Sequence, residues 1–363
     1  MASLAHRRRR AGRTTAVPAV GLAAMLAVAW PAAALGQSGT PPPAPVAQCV
    51  VQDNRLAELS GLAADGEFRY AVGDGGRRLQ VVVLRADCTV QRVITAAVDP
   101  FDIEDLALDG DGRLWLADIG DNNVQRETVA LHVLAQDGAP PRLYRLTYPD
   151  GPHDAEALLL DREGRPYIVT KQAFGSSGVY TPAGPLAAPG PTPLELVTSI
   201  RFARTDTPGG PVGGMGSTLI TGGASSVDGG VVALRTYTDA YLFAVPDGDL
   251  VAALGRQPVR VPLPDEPQGE AIAFEQDGAL LSGSERAGAG PQPIRAVPGA
   301  AALVATASPT RTPSATADPQ ATAQPAPPGR GSLADWQAVL IAGLGAAAVI
   351  VVVSRVARRS QAP

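Results

Sequence analysis

The sequence has few of the residues on which common catalytic and metal sites depend. Its 363 residues include three His and two Cys, and only 4% of them are aromatic. It contains no HExxH, paired CxxC, Walker-type glycine loop or GxSxG elbow. These absences exclude the zinc protease, thiolate metal, P-loop and α/β-hydrolase sites that such motifs mark. A serine triad would have to recruit His132 or His153, and His132 lies in an apolar alternating segment typical of a packed strand.

Basic residues are also scarce away from the two ends of the chain. Of the 30 Lys and Arg, five Arg lie at 7–13 and three at 355–359, which leaves 22 against 35 acidic residues and a formal charge near −13. Nucleic acid is therefore not an expected partner, because phosphate binding needs clustered Lys and Arg. The electrostatic field of a domain with this excess of acidic residues favours cations or basic ligands.

The two ends are typical of targeting and anchoring segments. Five Arg precede an apolar run at 16–30, as in a signal peptide. Residues 336–353 carry no charge and are followed by Arg, which favours a membrane-spanning helix over a buried core helix and places the basic end in the cytoplasm. The predicted order is a signal peptide (1–36), a linker (37–46), an ectodomain (47–303), a Pro/Thr/Ser-rich stalk (304–332), a transmembrane helix (333–354) and a basic cytoplasmic tail (355–363). We therefore expect a single-pass protein of the cell membrane with its ectodomain on the extracytoplasmic side.

The ectodomain contains a repeat in which Gly follows Glu by eight residues. The turn glycines recur every 46 to 65 residues, and each interval holds strand-like segments separated by polar turns. This period predicts an all-β propeller of about five blades, with six left open because the longest interval could hide further strands. The segment 47–52 could complete the last blade and close the ring, which would remove unpaired strand edges. The repeated pairs are Glu58 with Gly66, Glu104 with Gly112, Glu156 with Gly164, Glu270 with Gly278 and, more weakly, Thr221 with Gly229.

Both cysteines lie in the predicted ectodomain. Cys49 just precedes the first repeat, and Cys88 follows its third strand. Export permits oxidation, so a disulfide is expected, with two free thiols as the alternative.

The repeated acids give a candidate site. The innermost strand of a propeller blade lines the central channel, so residues at its start face one mouth, and the second strand returns to that mouth. We expect an inner set and an outer set of residues there, flanked by further polar groups. The inner set is Glu58, Glu104, Glu156, Thr221 and Glu270, the outer set is Asp74, Asp118, Lys171, Arg235 and Glu285, and the flanking residues are Asp121, Asn122, His153 and Asp154.

Carboxylate and amide oxygens at this density suit calcium, and the metal candidates are Glu58, Glu104, Glu156 and Glu270. Two other interpretations stay open. The acids could accept hydrogen bonds from backbone N–H groups of neighbouring blades, or they could simply be solvated at strand ends.

Three motifs resemble those of bacterial secreted β-propellers of the phytase-like and NHL-like kind, and of a group of exported propellers without an assigned activity. They lie at 102–122 (DIEDLALDGDGRLWLADIGDN), 153–171 (HDAEALLLDREGRPYIVTK) and 268–285 (QGEAIAFEQDGALLSGSE). The phytase-like resemblance implies bound calcium and hydrolysis of a phosphate ester. By position it would involve Glu58, Glu104, Glu156, Glu270 and Lys171.

The sequence departs from that resemblance in its cations. Phytase-type propellers hold substrate phosphates with clustered basic residues, whereas this mouth offers Lys171, Arg235 and Arg126. The sequence therefore predicts a non-catalytic propeller that binds a small-molecule or surface partner, with a cation such as calcium, at an acidic mouth. A calcium-dependent phosphoesterase is the first alternative, and a scaffold for surface assembly is the second.

Overall fold

The computed structural model of the protein describes residues 41–137 and 139–306. This part of the chain is all-β, with two short helices, α1 (Leu250–Leu254) and α2 (Ala300–Thr306), and 3₁₀ turns at Asn54–Leu56 and Gly213–Thr218. The strands of the first half are β1 (Val46–Val50), β2 (Leu59–Ala64), β3 (Arg69–Gly73), β4 (Leu79–Leu84), β5 (Val90–Ala96), β6 (Ile103–Leu108), β7 (Leu114–Asp118), β8 (Val129–Leu134), β9 (Arg142–Thr147) and β10 (Ala155–Leu160). The strands of the second half are β11 (Pro166–Thr170), β12 (Ser177–Pro182), β13 (Thr192–Ile200), β14 (Ile220–Ser225), β15 (Val231–Thr236), β16 (Asp239–Ala244), β17 (Val259–Pro262), β18 (Gln268–Phe274), β19 (Leu280–Glu285) and β20 (Pro293–Val297).

The strands form antiparallel groups of four arranged around an axis. Blade 1 is β2 to β5, blade 2 is β6 to β9, blade 3 is β10 to β13, blade 4 is β14 to β17, and blade 5 is β18 to β20 with β1. The inner strands β2, β6, β10, β14 and β18 contact one another in that order, and β18 contacts β2. The ring is therefore closed, and the predicted propeller is confirmed. In the longest repeat interval, the described residues between β13 of blade 3 and β14 of blade 4 hold no additional strand.

Two blades are joined at their outer edges. Strand β13 of blade 3 pairs in parallel with β9 of blade 2, through Thr192 with Leu146 and Pro193 with Thr147. Blades 2 and 3 thus form one eight-stranded sheet.

The ring closes through its first strand. β1 pairs antiparallel with β20, from Val46 with Ala296 to Val50 with Pro293. This confirms that the N-terminal segment completes the last blade. A disulfide joins Cys49 in β1 to Cys88 in the turn between β4 and β5, as predicted. The bridge ties blade 5 to blade 1.

The apolar core is divided into layers between neighbouring blades. Both faces of each inner strand are covered, and β2 and β10 are buried along their whole length. One layer, for example, packs Leu59 and Leu62 of blade 1 against Leu281 of blade 5. Burial of apolar area in such layers drives the blades together.

The predicted signal peptide, most of the stalk, the transmembrane helix and the cytoplasmic tail lie outside the described residues. Within residues 41–137 and 139–306, no helix combines the length and apolar character needed to cross a membrane.

Candidate functional site: the acidic mouth

In every blade, the hairpin formed by the innermost strand and the second strand has a register shift at the same distance from its turn. In four blades one residue of the inner strand is left without a partner, and in blade 5 the irregularity lies between Gly269 and Ile272. A β-bulge of this kind re-aims the side chain it carries and often lies beside a binding site. The residues at this position are Ser60, Glu104, Glu156, Thr221 and Glu270.

The predicted position of Glu58 in this set is wrong. The bulge residue of blade 1 is Ser60, and Glu58 lies two residues earlier, just before β2, where it is exposed. The cause is the place of the glycine in the turn. Gly66 is the second residue of the turn 65–68 in blade 1, whereas Gly112 is the fourth residue of the turn 109–113 in blade 2. Counting back from the turn glycine therefore gives different positions in the two blades.

The second strands bring a further set of side chains to the same end of the ring. The Asp74 N–H donates to the Glu58 carbonyl at 3.1 Å, and the Lys171 N–H donates to the Asp154 carbonyl at 2.9 Å. In blade 5, Glu285 pairs with Gln268 in the corresponding place. We call the resulting cluster the acidic mouth; it consists of Glu58, Asp74, Asp102, Glu104, Asp154, Glu156, Lys171, Tyr237, Glu270 and Glu285.

Crowding of carboxyl groups favours their protonated forms. Burial, followed by the charges of Glu58 and Glu270, raises the pKa of Asp74 to about 8. Burial and then Asp154 raise the pKa of Asp102 to about 6. Burial and then Glu270 raise the pKa of Glu285 to about 11, and the two carboxyl groups share a hydrogen bond.

Deeper in the mouth, burial is the main cause of the shifts. It raises the pKa of Glu104 well above its usual value, and Glu156 and Asp102 add to the effect. Among the residues that the structure describes, no N–H or O–H group donates a hydrogen bond to the Glu104 carboxyl, although this residue is only 6% exposed. A Cβ atom at position 120 would overlap the carboxyls of Glu104 and Asp102, so Gly120 is the residue that leaves room for them. Glu104 is therefore a buried acid without a hydrogen-bonding partner of its own.

One cation lies within the cluster. The Lys171 ammonium forms an ion pair with Glu156, and its Nζ lies 5.2 Å from the ring centroid of Tyr237. Burial opposes the charge, but Glu156, Tyr237 and Glu270 raise the pKa of Lys171 well above its usual value. The lysine is thus held as an ammonium between a carboxylate and an aromatic face, a favourable arrangement for such a group.

Two predicted members of the outer set lie behind the mouth instead. Arg235 is fully buried and donates from all of its nitrogens, to backbone carbonyls and, at 2.6 Å, to Glu266. Asp118 accepts hydrogen bonds from the N–H groups of Phe101 and Asp102 and pairs with Arg126 at 2.9 Å. Their hydrogen bonds are already made within the protein, so neither is placed to contact a ligand.

Asp118 remains charged in this position. Burial opposes the charge, but the hydrogen bond with His132 and the Arg126 guanidinium lower the pKa of Asp118 to about 2.

The flanking residues are dispersed. Asp121 is buried and accepts hydrogen bonds from two backbone N–H groups of the following loop, whereas Asn122 is exposed. His153 Nε2 lies 3.0 Å from both Asp150 Oδ1 and the Tyr180 hydroxyl. These residues shape the rim of blades 2 and 3 and do not converge on one point.

Sequence reasoning missed two members of the mouth, Asp102 and Tyr237. Asp102 lies two residues before the bulge acid Glu104, as Asp154 lies before Glu156, so the repeated pattern of an acid, any residue and Glu could have found it. Tyr237 stands where Lys171 stands in blade 3, but the bulge residue of its hairpin is Thr221, which carries no charge to mark it.

A buried carboxylate closes the channel below the mouth. Asp105 Oδ2 accepts hydrogen bonds from the N–H groups of Leu158 at 2.7 Å and Gly223 at 3.0 Å, and Oδ1 accepts from Leu106. Because β6 and β14 are not neighbours in the ring, the bond to Gly223 crosses the axis. Asp105 therefore links blades 2, 3 and 4 at the centre.

A cavity of about 530 Å³ lies at the opposite end of the channel. It is lined by the hairpin turns, and their carboxylates are already engaged. Asp109, for example, accepts from the Arg113 N–H and from Trp115 Nε1. This end contains no cluster of unpaired acids like that of the mouth, so we take the mouth as the candidate site.

Within the described part of the chain, no group of three or more His, Cys, Asp or Glu side chains is arranged to hold a metal ion. The carboxyls of the mouth instead form pairs, Asp74 with Glu58 and Glu285 with Glu270.

No family model matches the sequence, and no curated protein is similar to it. Solved structures with some likeness include a gluconolactonase from Xanthomonas campestris, with 17% identity over 72% of this chain and 87% of that chain and a TM-score of 0.36. Another is the PQQ-bound aldose sugar dehydrogenase of Streptomyces coelicolor, with 11% identity over 70% of this chain and 99% of that chain and a TM-score of 0.39. At these TM-scores the comparisons carry no argument about activity, and the resemblance to phytase-like propellers stays a prediction.

Proposed function

We propose that the protein is a membrane-anchored, extracytoplasmic β-propeller that binds a positively charged ligand at the acidic mouth and does not catalyse a reaction. The observation that supports this most is the Asp74 carboxyl, whose Oδ1 is buried without a hydrogen-bond partner among other acids. Burying such a group is costly unless a cation or a proton compensates it. A bound cation would supply that compensation.

Hydrolysis of a phosphate ester is less well supported by the geometry. A phosphate needs several cationic groups to hold it, yet Lys171 is already paired with Glu156 and Arg235 is fully buried. The surrounding carboxyls would repel an anionic substrate. We therefore do not extend the proposal to phosphoesterase activity.

Cation binding can be tested on residues 41–306, since the five blades close a ring within this stretch. Titration with calcium chloride by calorimetry, beside thermal melting, should show binding and a raised melting temperature, because a ligand that binds only the folded state stabilises it. Binding should also release protons, since several carboxyls of the mouth hold them. The proton release appears as a dependence of the measured heat on the buffer's ionisation enthalpy.

The matched variants are the double substitution Glu104→Gln and Glu156→Gln at the mouth and Asp111→Asn at an exposed turn. The double variant should lose binding, and the turn variant should keep it. Unchanged affinity in the double variant would refute a site at the mouth. If calcium does not bind the wild-type ectodomain, the proposed cation binding is refuted.

Anchoring is a separate proposal. It rests on the uncharged run at 336–353 and the Arg residues after it. The full chain should stay in the membrane fraction after carbonate extraction, and a chain that ends at residue 332 should be released. Equal release of both chains would refute the anchor.

A further inference from the structure

A second cavity, of about 1200 Å³, lies on the outer side of the ring between blades 3 and 4. One wall is formed by residues 199–208, at the end of β13 and in the connection that follows it. The other wall comes from residues between 254 and 264, which include β17, the outermost strand of blade 4. We call this cavity the outer groove. It shares no residue with the acidic mouth, so its function is a separate question.

The first wall of the outer groove is fastened to blade 4. The hydroxyls of Thr205 and Thr207 donate to the buried Asp239 carboxylate at 2.7 and 2.8 Å. Nearby, the Phe202 ring stacks on the Tyr241 ring with a centroid separation of 3.7 Å. The groove is therefore already formed in the free protein, which reduces the entropy cost of ordering it when a ligand binds.

The floor of the outer groove contains a hydroxyl group without a partner. Tyr241 is only 6% exposed, and its hydroxyl is buried without a hydrogen-bond partner among the described residues. Burial, followed by the charge of Asp239, raises the pKa of Tyr241 to about 12, so the hydroxyl keeps its proton. Tyr241 lies directly opposite Arg260 in the strand pair, and the Arg260 side chain is 42% exposed and can rotate to admit a ligand. Because an unpaired buried donor is costly, this hydroxyl indicates an acceptor that a bound molecule supplies.

The walls of the outer groove carry positive charge in a domain that is acidic overall. Four arginines line it, whereas the single acid among the lining residues is the exposed Asp206. Arg256 and Arg260 each lie near an acidic partner. Arg201 and Arg204 are exposed and form no ion pair within residues 41–137 and 139–306. Two guanidinium groups are thus free to bind carboxylates, which they can do through two parallel hydrogen bonds each.

We propose that the outer groove binds an acidic, extended segment of a partner protein. Its carboxylates would pair with Arg201 and Arg204, and one of its backbone carbonyls would accept from the Tyr241 hydroxyl. An extended peptide supplies both kinds of acceptor, and the volume of the groove exceeds the roughly 300 to 1,000 Å³ typical of small-molecule pockets. The chain's own Pro/Thr/Ser-rich segment at 304–332 is a poor match in charge, since it contains two Arg and one Asp.

The test measures binding of fluorescein-labelled hexaglutamate to residues 41–306 by fluorescence anisotropy at low ionic strength. Hexaglutamine with the same label is the comparison, because it has the same backbone carbonyls without the carboxylates. The wild-type ectodomain should bind hexaglutamate, and hexaglutamine should bind at least tenfold more weakly. Added salt should weaken the binding of hexaglutamate, since the contacts are between exposed charges.

The decisive variant is the double substitution Arg201→Gln and Arg204→Gln. Both side chains are exposed, so the variant should fold, and it should bind hexaglutamate at least tenfold more weakly than wild type. The matched control is Arg77→Gln with Arg78→Gln, which removes the same charge from the exposed connection between β3 and β4. The control should keep its affinity for hexaglutamate within twofold.

Tyr241→Phe tests the hydroxyl separately from the arginines. The phenylalanine ring retains the stacking on Phe202, and the hydroxyl has no partner within the described residues to lose. The variant should therefore melt at or above the temperature of wild type, yet bind hexaglutamate about threefold more weakly. Unchanged affinity in Tyr241→Phe would overturn the role of the hydroxyl in binding.

Four results would overturn a peptide site in the outer groove. The first is equal affinity for hexaglutamate and hexaglutamine, and the second is unchanged hexaglutamate affinity in the variant that lacks both Arg201 and Arg204. The third is displacement of hexaglutamate by an equal concentration of citrate, which would make a small polycarboxylate the ligand. The fourth is self-association in sedimentation that the same double variant abolishes, which would make a second copy of the chain the occupant. The Glu104→Gln and Glu156→Gln variant should bind hexaglutamate as wild type does, so failure at the groove leaves cation binding at the mouth unaffected.

Discussion

Replacement of Asp74 by Asn should stabilise the ectodomain at alkaline pH. Asp74 has an ordinary pKa of 3.8 and a pKa of about 8 in the folded protein. Below pH 3.8 the carboxyl is protonated in both the folded and the unfolded state, so its folded environment does not lower the free energy of unfolding. As pH rises towards 8 the unfolded chain releases the proton while the folded protein retains it, so stability falls across this window.

The size of the effect follows from the shift. About four pKa units at 1.36 kcal/mol each give roughly 5 to 6 kcal/mol if the whole shift belongs to Asp74. The shift arises from burial first and then from the charges of Glu58, Glu270 and Asp102, which share the proton equilibrium with Asp74, so we expect about 2 kcal/mol from this residue. For a domain of this size that is about 5 °C in melting temperature.

The assay is thermal melting of wild type and variant between pH 4 and pH 9. The difference should be near zero at pH 4 and reach about 5 °C at pH 8. Asp111→Asn, at an exposed turn, should show no such pH-dependent difference. A pH-independent difference for Asp74→Asn, or a loss of stability at pH 8, would refute the proposed crowding of carboxyls.

Two further predictions concern the centre and the edge of the ring. Asp105→Asn should destabilise the protein by about 2 to 3 kcal/mol in chemical denaturation. The amide oxygen can accept from the N–H groups of Leu158 and Gly223 as Oδ2 does now, but the amide NH2 then faces the Leu106 N–H, which now donates to Oδ1. An effect below about 0.5 kcal/mol would contradict the central role of this side chain. Replacement of Cys49 and Cys88 by Ser should cost about 4 kcal/mol, as expected for a closed loop with a sequence separation of 39, and unchanged melting under reducing conditions would contradict it.

The fold was largely predictable because its signals are local and repeated. Strand-like segments, turn glycines and the extra strand near residue 47 follow from alternation and turn chemistry. The disulfide followed from the predicted export of the chain and from the positions of Cys49 and Cys88. The parallel pairing of β9 with β13 was not predictable, since it joins two outer edges through a contact that no period in the sequence encodes.

The candidate site was predictable only in part. Glu104, Glu156, Glu270 and Lys171 were placed at the mouth by spacing alone. Arg235 was misassigned, because its burial depends on Glu266 and on carbonyls of the neighbouring blade. Counting residue positions along the sequence cannot show such contacts between blades.

The composite fifth blade also has a consequence for the order of assembly. β1 is among the first segments made, whereas β18 to β20 are the last strands of the ring to leave the ribosome. Cys49 and Cys88 both emerge early, so oxidation can hold β1 against blade 1 long before β20 exists. The last step of folding is then the docking of β18 to β20 between blade 4 and β1, which the disulfide already holds against blade 1. In a reducing environment, β1 would lack this covalent link while the rest of the chain folds.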